Sequence, residues 1–360
     1  MPGARRYRRT MVCRILTVAA LALVPPVAVS ASTDAQLAGQ RIVWPIDGTT
    51  VSATMRAGIA RGEVGSVIVF GRNAPSPAAL TRLTTELQTI PRPKDLDVPL
   101  LIMIDQEGGL VTRIPSVPPT AAAATMGATL TPAQIRAQGA ATGRGLLALG
   151  VNADLAPVCD VAVRGGDIFR DRRSFGTTPA RVGDDCTAFA QGLAAGGTAA
   201  AAKHFPGFGR AKANTDNAPV RIGATRATLM DDLAPFRQAI RGGVPMVLVS
   251  SAIYPALAPQ PAMLSAVVVG GLLRGRLGFE GVTISDAVDA AALTPWGGTR
   301  GASARAAVAG MDLLITSGTE AAAMQAQRGV IGALASGAIA RSDALASVRR
   351  VIALRRNPAG

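Results

Sequence analysis

The chain has 360 residues, 37 Lys plus Arg against 23 Asp plus Glu, a formal charge of +14, three cysteines and one histidine. A lone histidine excludes the usual multi-histidine catalytic metal sites, and neither a metal nor another cofactor is expected. The basic charge comes with no helix-turn-helix, zinc-ligand or aromatic-and-basic RNA pattern, so nucleic acid is not an expected partner; the charge is nearly all arginine, spread along an alanine-rich chain as a compositional bias.

Residues 1–31 read as an export signal. Arg5, Arg6, Arg8, Arg9 and Arg14 form a basic head, Ile15 to Val24 is a short apolar stretch, and Val29-Ser30-Ala31 supplies small residues for cleavage. About ten apolar residues are too few for a stable spanning helix, a retained anchor being the alternative. Cys13 precedes the apolar stretch and is not placed for lipid attachment after cleavage. Cleavage would leave residues 32–360 as one domain of charge +9, secreted and without an integral membrane span.

The rest of the chain repeats one design, a short apolar run with a polar end. Arg41 to Trp44 is a weak first example. Gly65 to Phe70 ends in Gly71-Arg72-Asn73, Pro99 to Ile104 in Asp105-Gln106-Glu107-Gly108-Gly109, and Val151 to Ala156 in Pro157-Val158-Cys159-Asp160. Thr198 to Ala202 ends in Lys203-His204-Phe205-Pro206-Gly207, Val244 to Val249 in Ser250 to Tyr254, Val282 to Ile284 in Ser285-Asp286, and Met311 to Ile315 in Thr316-Ser317-Gly318. Each run reads as a buried strand, and stretches such as Leu229 to Arg241 and Arg300 to Ala309 read as helices between them. Strand and helix alternating about eight times predict an α/β fold, a single (β/α)8 TIM-type barrel, with the site at the strand C-termini. An open doubly wound sheet is the alternative. Cys159 ends one strand and Cys186 starts the helix expected to follow. A bridge across that unit and two buried free thiols are both consistent with the pattern.

Taken together, Phe70-Gly-Arg-Asn73, Ile104 to Gly109, Asp154 to Asp160, Arg173-Ser-Phe-Gly176, Lys203 to Gly207, Ile284-Ser-Asp286 and Ala309-Gly-Met-Asp312 resemble glycoside hydrolase family 3. The resemblance is to its single-domain bacterial β-N-acetylhexosaminidases, and the motifs stand in the family's order over nearly the whole mature chain. It implies a retaining mechanism with Asp286 as nucleophile, where the bland reading is a helix N-cap. It also implies sugar binding by Asp105, Arg173, Lys203 and His204. For Asp105 and Arg173 the alternative is an ion pair, with each other or with a neighbour, and for His204 a satisfied core histidine. Glu107 is expected to support the Gly108-Gly109 turn.

The chain departs from that family at one point. The hexosaminidases continue with His-Gly and later Asp-Ser-His, whose last histidine is the general acid/base; here Phe208-Gly209 and Asn214-Thr215-Asp216 stand in those places. Three readings follow: Asp216 donates the proton instead, the barrel binds glycans or envelope partners without catalysis, or the substrate needs little acid help. Little chain remains beyond the last barrel helix for a second domain, so the barrel loops or a partner are the expected source of any acid. Aromatic residues are scarce, which suits a pocket for one or two terminal sugars of a short cell-envelope or peptidoglycan-derived glycan. Trp296, shortly after Asp286, is placed either to line that pocket or to anchor a loop. The sequence leaves the oligomeric state open.

Overall fold

The computed structural model describes residues 32–359, so the expected export segment lies outside the described residues. Eight parallel strands close into a barrel: β1 (Ile42–Pro45), β2 (Ser66–Ile68), β3 (Leu101–Ile104), β4 (Ala153–Asp154), β5 (Ala199–Phe205), β6 (Met246–Val249), β7 (Val282–Ala287) and β8 (Leu313–Ile315). Closure is made by β1 against β8, with Ile42 opposite Leu314 and Val43 opposite Ile315, which excludes the open sheet. A hairpin of Gln106–Gly108 and Val111–Thr112 follows β3. No helix of the described residues is long and apolar enough to cross a membrane.

Side chains alternate across each strand, and that alternation sorts the apolar residues into two cores. Val43, Leu101, Met103, Ala199, Ala201, Val282 and Ile284 belong to the cluster that fills the barrel. Their neighbours Ile42, Ile102, Ile104, Ala200 and Ala202 belong to the cluster between the strands and the surrounding helices. Strands buried on both faces must be apolar throughout, which is why they stand out as uninterrupted runs.

The helices differ from expectation in two places. The one expected over Leu229 to Arg241 is two, Arg226–Asp232 and Ala234–Arg241. Pro235 causes the break, since it has no N–H to continue a helix but fits the first turn of a new one. Cys186 lies in the middle of the helix Pro179–Ala195, not at its start, and Cys159 and Cys186 are both buried free thiols. Burial and the neighbouring Cys186 hold the Cys159 thiol well above its ordinary range.

The helices Pro132–Ala148 and Pro179–Ala195 pack backbone to backbone. A Cβ on Gly139 would stand 2.4 Å from the Phe189 carbonyl oxygen, and one on Gly192 2.2 Å from that of Arg136. Gly332, in the helix Glu320–Ala335, has nothing within 4 Å of such a Cβ. Gly192→Ala is therefore expected to lower the unfolding free energy by about 1–3 kcal/mol through overpacking, despite alanine's better helix propensity. Gly332→Ala is expected to raise it by up to about 1 kcal/mol. Chemical denaturation of both variants checks this, and a stabilised Gly192→Ala would contradict the close packing.

Candidate functional site

The period-two rule carries over from the core to the site. Leu101 and Met103 point into the barrel, so Asp105 is the next inward position; Lys203 follows Ala199 and Ala201, and Asp286 follows Val282 and Ile284 in the same way. These three polar groups sit one step above the last apolar layer. A cavity of about 390 Å3 opens there over a floor of Ile68, Leu155, Leu248 and Ile315. All six residues expected from the sequence line it: Asp105, Arg173, Lys203, His204, Asp216 and Asp286. Trp296 does not line it and is partly buried against the outer core.

At its base lies a buried ion cluster. The Lys203 ammonium donates to Asp105 Oδ1 at 2.5 Å and stands 2.7 Å from Glu107 Oε1. Arg173 donates from Nε and Nη2 to the two oxygens of Glu107 at 2.9 and 2.8 Å. Burial alone would raise the Glu107 pKa, but the Arg173 and Lys203 charges outweigh it and hold the carboxyl far below the ordinary range. Burial likewise opposes the charge on Lys203, yet Asp105 and Glu107 leave its pKa raised. Beneath the cluster Asp154 accepts from the Gln106 N–H at 2.9 Å, and burial pushes its carboxyl well above the usual value.

His204 is held by Asp160. One Asp160 oxygen lies 2.7 Å from Nδ1, and the other accepts from the His204 and Phe208 N–H groups at 3.1 and 2.6 Å. A carboxylate on Nδ1 calls for the proton there, which leaves Nε2 as the second ring nitrogen for a ligand. Tyr254 donates its hydroxyl to the Gly207 carbonyl at 3.1 Å and fixes the turn that follows.

Asp286 is surrounded by donors. Its Oδ2 accepts from the Ser251 hydroxyl at 2.7 Å and the Thr215 hydroxyl at 3.4 Å, and its Oδ1 accepts from the Ala287 N–H at 2.9 Å. The helix N-cap expected as the alternative is not what this side chain does, because its bonds run to the next residue and to loops from other strands.

Thr215 belongs to the loop that carries Asp216. Gly209 lets that loop lie against the chain at Val161, whose carbonyl oxygen would be 1.8 Å from a Cβ there. At the far end, Ala291 and Ala292 donate N–H groups to the carbonyls of Asp216 and Thr215, each at 3.2 Å. Asp216 is solvent-accessible at the cavity mouth, yet burial and then the charge of Asp286 raise its carboxyl above the ordinary value.

Several participants were not singled out from sequence. Glu107 had been assigned to its turn, whereas it is the shared partner of Arg173 and Lys203. Asp105 and Arg173 do not pair with each other, but each is in a neighbouring ion pair, Asp105 with Lys203 and Arg173 with Glu107, so the structural alternative for them is met. Asp160 ends a strand motif and carries no distinguishing signal, and Ser251 is one of two adjacent serines. Arg113 lines the cavity with a buried Nε that has no partner among the described residues. Among those residues no three metal-ligating side chains converge.

Residues 32–354 match the model of the glycosyl hydrolase family 3 N-terminal domain. The chain is 36% identical over 289 residues to an uncharacterized secreted glycosyl hydrolase of Arthroderma benhamiae, covering 78% of this chain and 81% of that one. It is 35% identical over 286 residues to a beta-hexosaminidase of Alkalilimnicola ehrlichii, covering 76% and 79%. Its fold superimposes with a TM-score of 0.86 and 34% identity on a glycoside hydrolase family 3 beta-N-acetylglucosaminidase from Paenibacillus sp. str. FPU-7, over 91% of this chain and 63% of that one.

The ion cluster makes stability depend on pH. Glu107→Gln leaves Lys203 and Arg173 buried with one carboxylate too few and is expected to cost about 3–5 kcal/mol at neutral pH. In the wild type a depressed Glu107 contributes fully above its unfolded value of about 4.3, and that contribution is lost as pH falls toward the folded value. The wild-type melting temperature is therefore expected to drop more steeply than that of the variant between about pH 5 and pH 3. Parallel curves would contradict the assignment.

Proposed function

Because this chain belongs to glycosyl hydrolase family 3 and is a glycoside hydrolase, we propose that it is an exported retaining exo-glycosidase with Asp286 as nucleophile and Asp216 as proton donor. The observation that carries this is the setting of Asp286, an inward-facing carboxylate at a strand end with three donors on its two oxygens and the Asp216 loop bound to it through Thr215. Donors on both oxygens fix the direction in which the carboxylate points, which a nucleophile needs.

In the first step an Asp286 oxygen attacks the anomeric carbon, the bond to the leaving oxygen breaks, and Asp216 gives that oxygen its proton. In the second, Asp216 takes a proton from water, the water oxygen attacks the same carbon, and the bond to Asp286 breaks. The charge on Asp286 sets the order. Burial raises the Asp216 pKa, and while Asp286 is ionised its charge raises it further and favours the acid form. Once Asp286 is an ester that charge is gone, the pKa falls, and the base form is favoured for the second step. One side chain can thus serve both steps in place of a histidine.

Substrate hydroxyls would be held by Asp105, by Arg173 Nη1, by the remaining Lys203 N–H and by His204 Nε2, the donors and acceptors that the internal pairs leave over. The cavity is near the small end of the ~300–1,000 Å3 range of small-molecule sites, which suits one or two sugars at a chain end. Terminal β-glucosides and β-N-acetylhexosaminides of short envelope glycans are the substrates to test first. The relatives named beta-hexosaminidase favour the second group, and the relative named as secreted supports export.

A leaving-group series tests the roles. Asp286→Asn is expected to abolish turnover of every glycoside. Asp216→Asn is expected to lower kcat/KM by about 10²–10⁴ on sugar or alkyl leaving groups, yet to keep most of the first step with a dinitrophenyl leaving group. Since Asp216 must start protonated, wild-type kcat/KM is expected to fall as pH rises through its raised pKa, and Asp216→Asn removes that limb. Unchanged kcat/KM in Asp216→Asn on poor leaving groups would overturn its role. No turnover by the folded wild type would point to a glycan-binding barrel.

A further inference from the structure

The loop that follows β5 has two sides. Asn214, Thr215 and Asp216 line the catalytic cavity. On the outer side, residues from the flanking segments 210–213 and 219–224 line a second, open cleft of about 610 Å3.

This cleft is basic. Arg210, Lys212 and Arg221 line it and no carboxylate does. Arg210 is already matched, since its Nε and Nη2 donate to the two oxygens of Asp232 at 2.7 and 3.2 Å. Lys212 and Arg221 are exposed, and neither side chain has a hydrogen bond or an ion pair among the described residues.

Unpaired surface cations are ordinary in a basic chain, but these two stand on a backbone that is held. The Ile222 N–H donates to the Ile253 carbonyl and the Ile253 N–H to the Val220 carbonyl, each at 2.9 Å, which pins the segment of Arg221 to the chain beyond β6. Val220 and Ile222, on either side of Arg221, are buried. Across the cleft the Lys212 carbonyl accepts from Arg170 Nη2 at 3.0 Å. The cleft also runs on into the catalytic cavity, because Ala213 lines the one and Asn214 the other. Even a fully extended chain would place Ala213 within about 11 Å of Asp216.

If Asp216 protonates the leaving oxygen, as proposed above, that oxygen lies against this loop and the leaving group runs out past it. We propose that the cleft is the leaving-group subsite for an acidic sugar, held through its carboxylate or phosphate by Lys212 and Arg221. The inference rests on the role given to Asp216. Both cations make charge-assisted hydrogen bonds to such groups, and the guanidinium of Arg221 can meet two of their oxygens at once. Pro219 and Ala224 give the cleft an apolar surface for the C–H face of the ring. The preferred substrates are then oligosaccharides in which the terminal sugar is attached to an acidic residue.

Three non-hydrolysable S-linked disaccharides test this on the full mature chain by calorimetry: N-acetylglucosamine joined to glucuronate, to phosphorylated glucose and to glucose. Their O-linked counterparts are assayed for kcat/KM. An acidic leaving group is expected to improve binding and kcat/KM about tenfold over glucose at low ionic strength. The advantage is expected to shrink in about 0.5 M sodium chloride. The double variant Lys212→Gln, Arg221→Gln changes only exposed side chains and is expected to lose the preference. A preference for glucuronate alone assigns the cleft to carboxylates and one for the phosphate alone to phosphates; both uphold it. Acidic analogues that bind no better than the neutral one overturn it, and so does a preference that persists in the double variant, which would pass to Arg113. Preferential binding without turnover of any glycoside would refute the catalytic reading and leave the cleft standing. Turnover of all three without preference would do the reverse.

Discussion

The polar base of the cavity at the strand C-termini is arranged around one buried ammonium, that of Lys203 between Asp105 and Glu107. Burial opposes the charge on Lys203, but the two carboxylates that meet it outweigh that, and Arg173 and Lys203 together hold Glu107 ionised. The cluster ties the ends of β3 and β5 to the loop that brings Arg173. It also fixes which donors and acceptors are left for a ligand. Removing any one member leaves the others desolvated and unmatched, so the site and the stability of the barrel top cannot be separated.

The barrel was legible because strands buried on both faces must be apolar throughout, and all eight runs became strands. Asp105, Lys203 and Asp286 were legible for a related reason: each follows an apolar run at a strand end, and the two-residue period carries it inward. What escaped were pairings across the chain. Glu107 and Arg173 are 66 residues apart, Asp160 and His204 44, and Ser251 and Asp286 35, and nothing local marks any of them. The helix break at Pro235 and the backbone contact at Gly192 escaped because proline also opens helices and because glycine has several uses.

The loop in which the family's histidines are replaced is still attached beside Asp286. Asn214, Thr215 and Asp216 keep the loop bound to the strand that carries Asp286, through the Thr215 hydroxyl on one side and the Ala291 and Ala292 amides on the other. Burial, and after it the charge of Asp286, raise the Asp216 carboxyl, which is the direction the proposed acid role calls for.

The proposed mechanism turns on a covalent bond between Asp286 and sugar. Intact-protein mass spectrometry after incubation with activated 2-fluoro glycosides, followed by peptide mapping, tests it most directly. The mechanism predicts a single glycosyl adduct on the peptide containing Asp286. An adduct on another carboxylate, or substrate turnover with none formed, would contradict it.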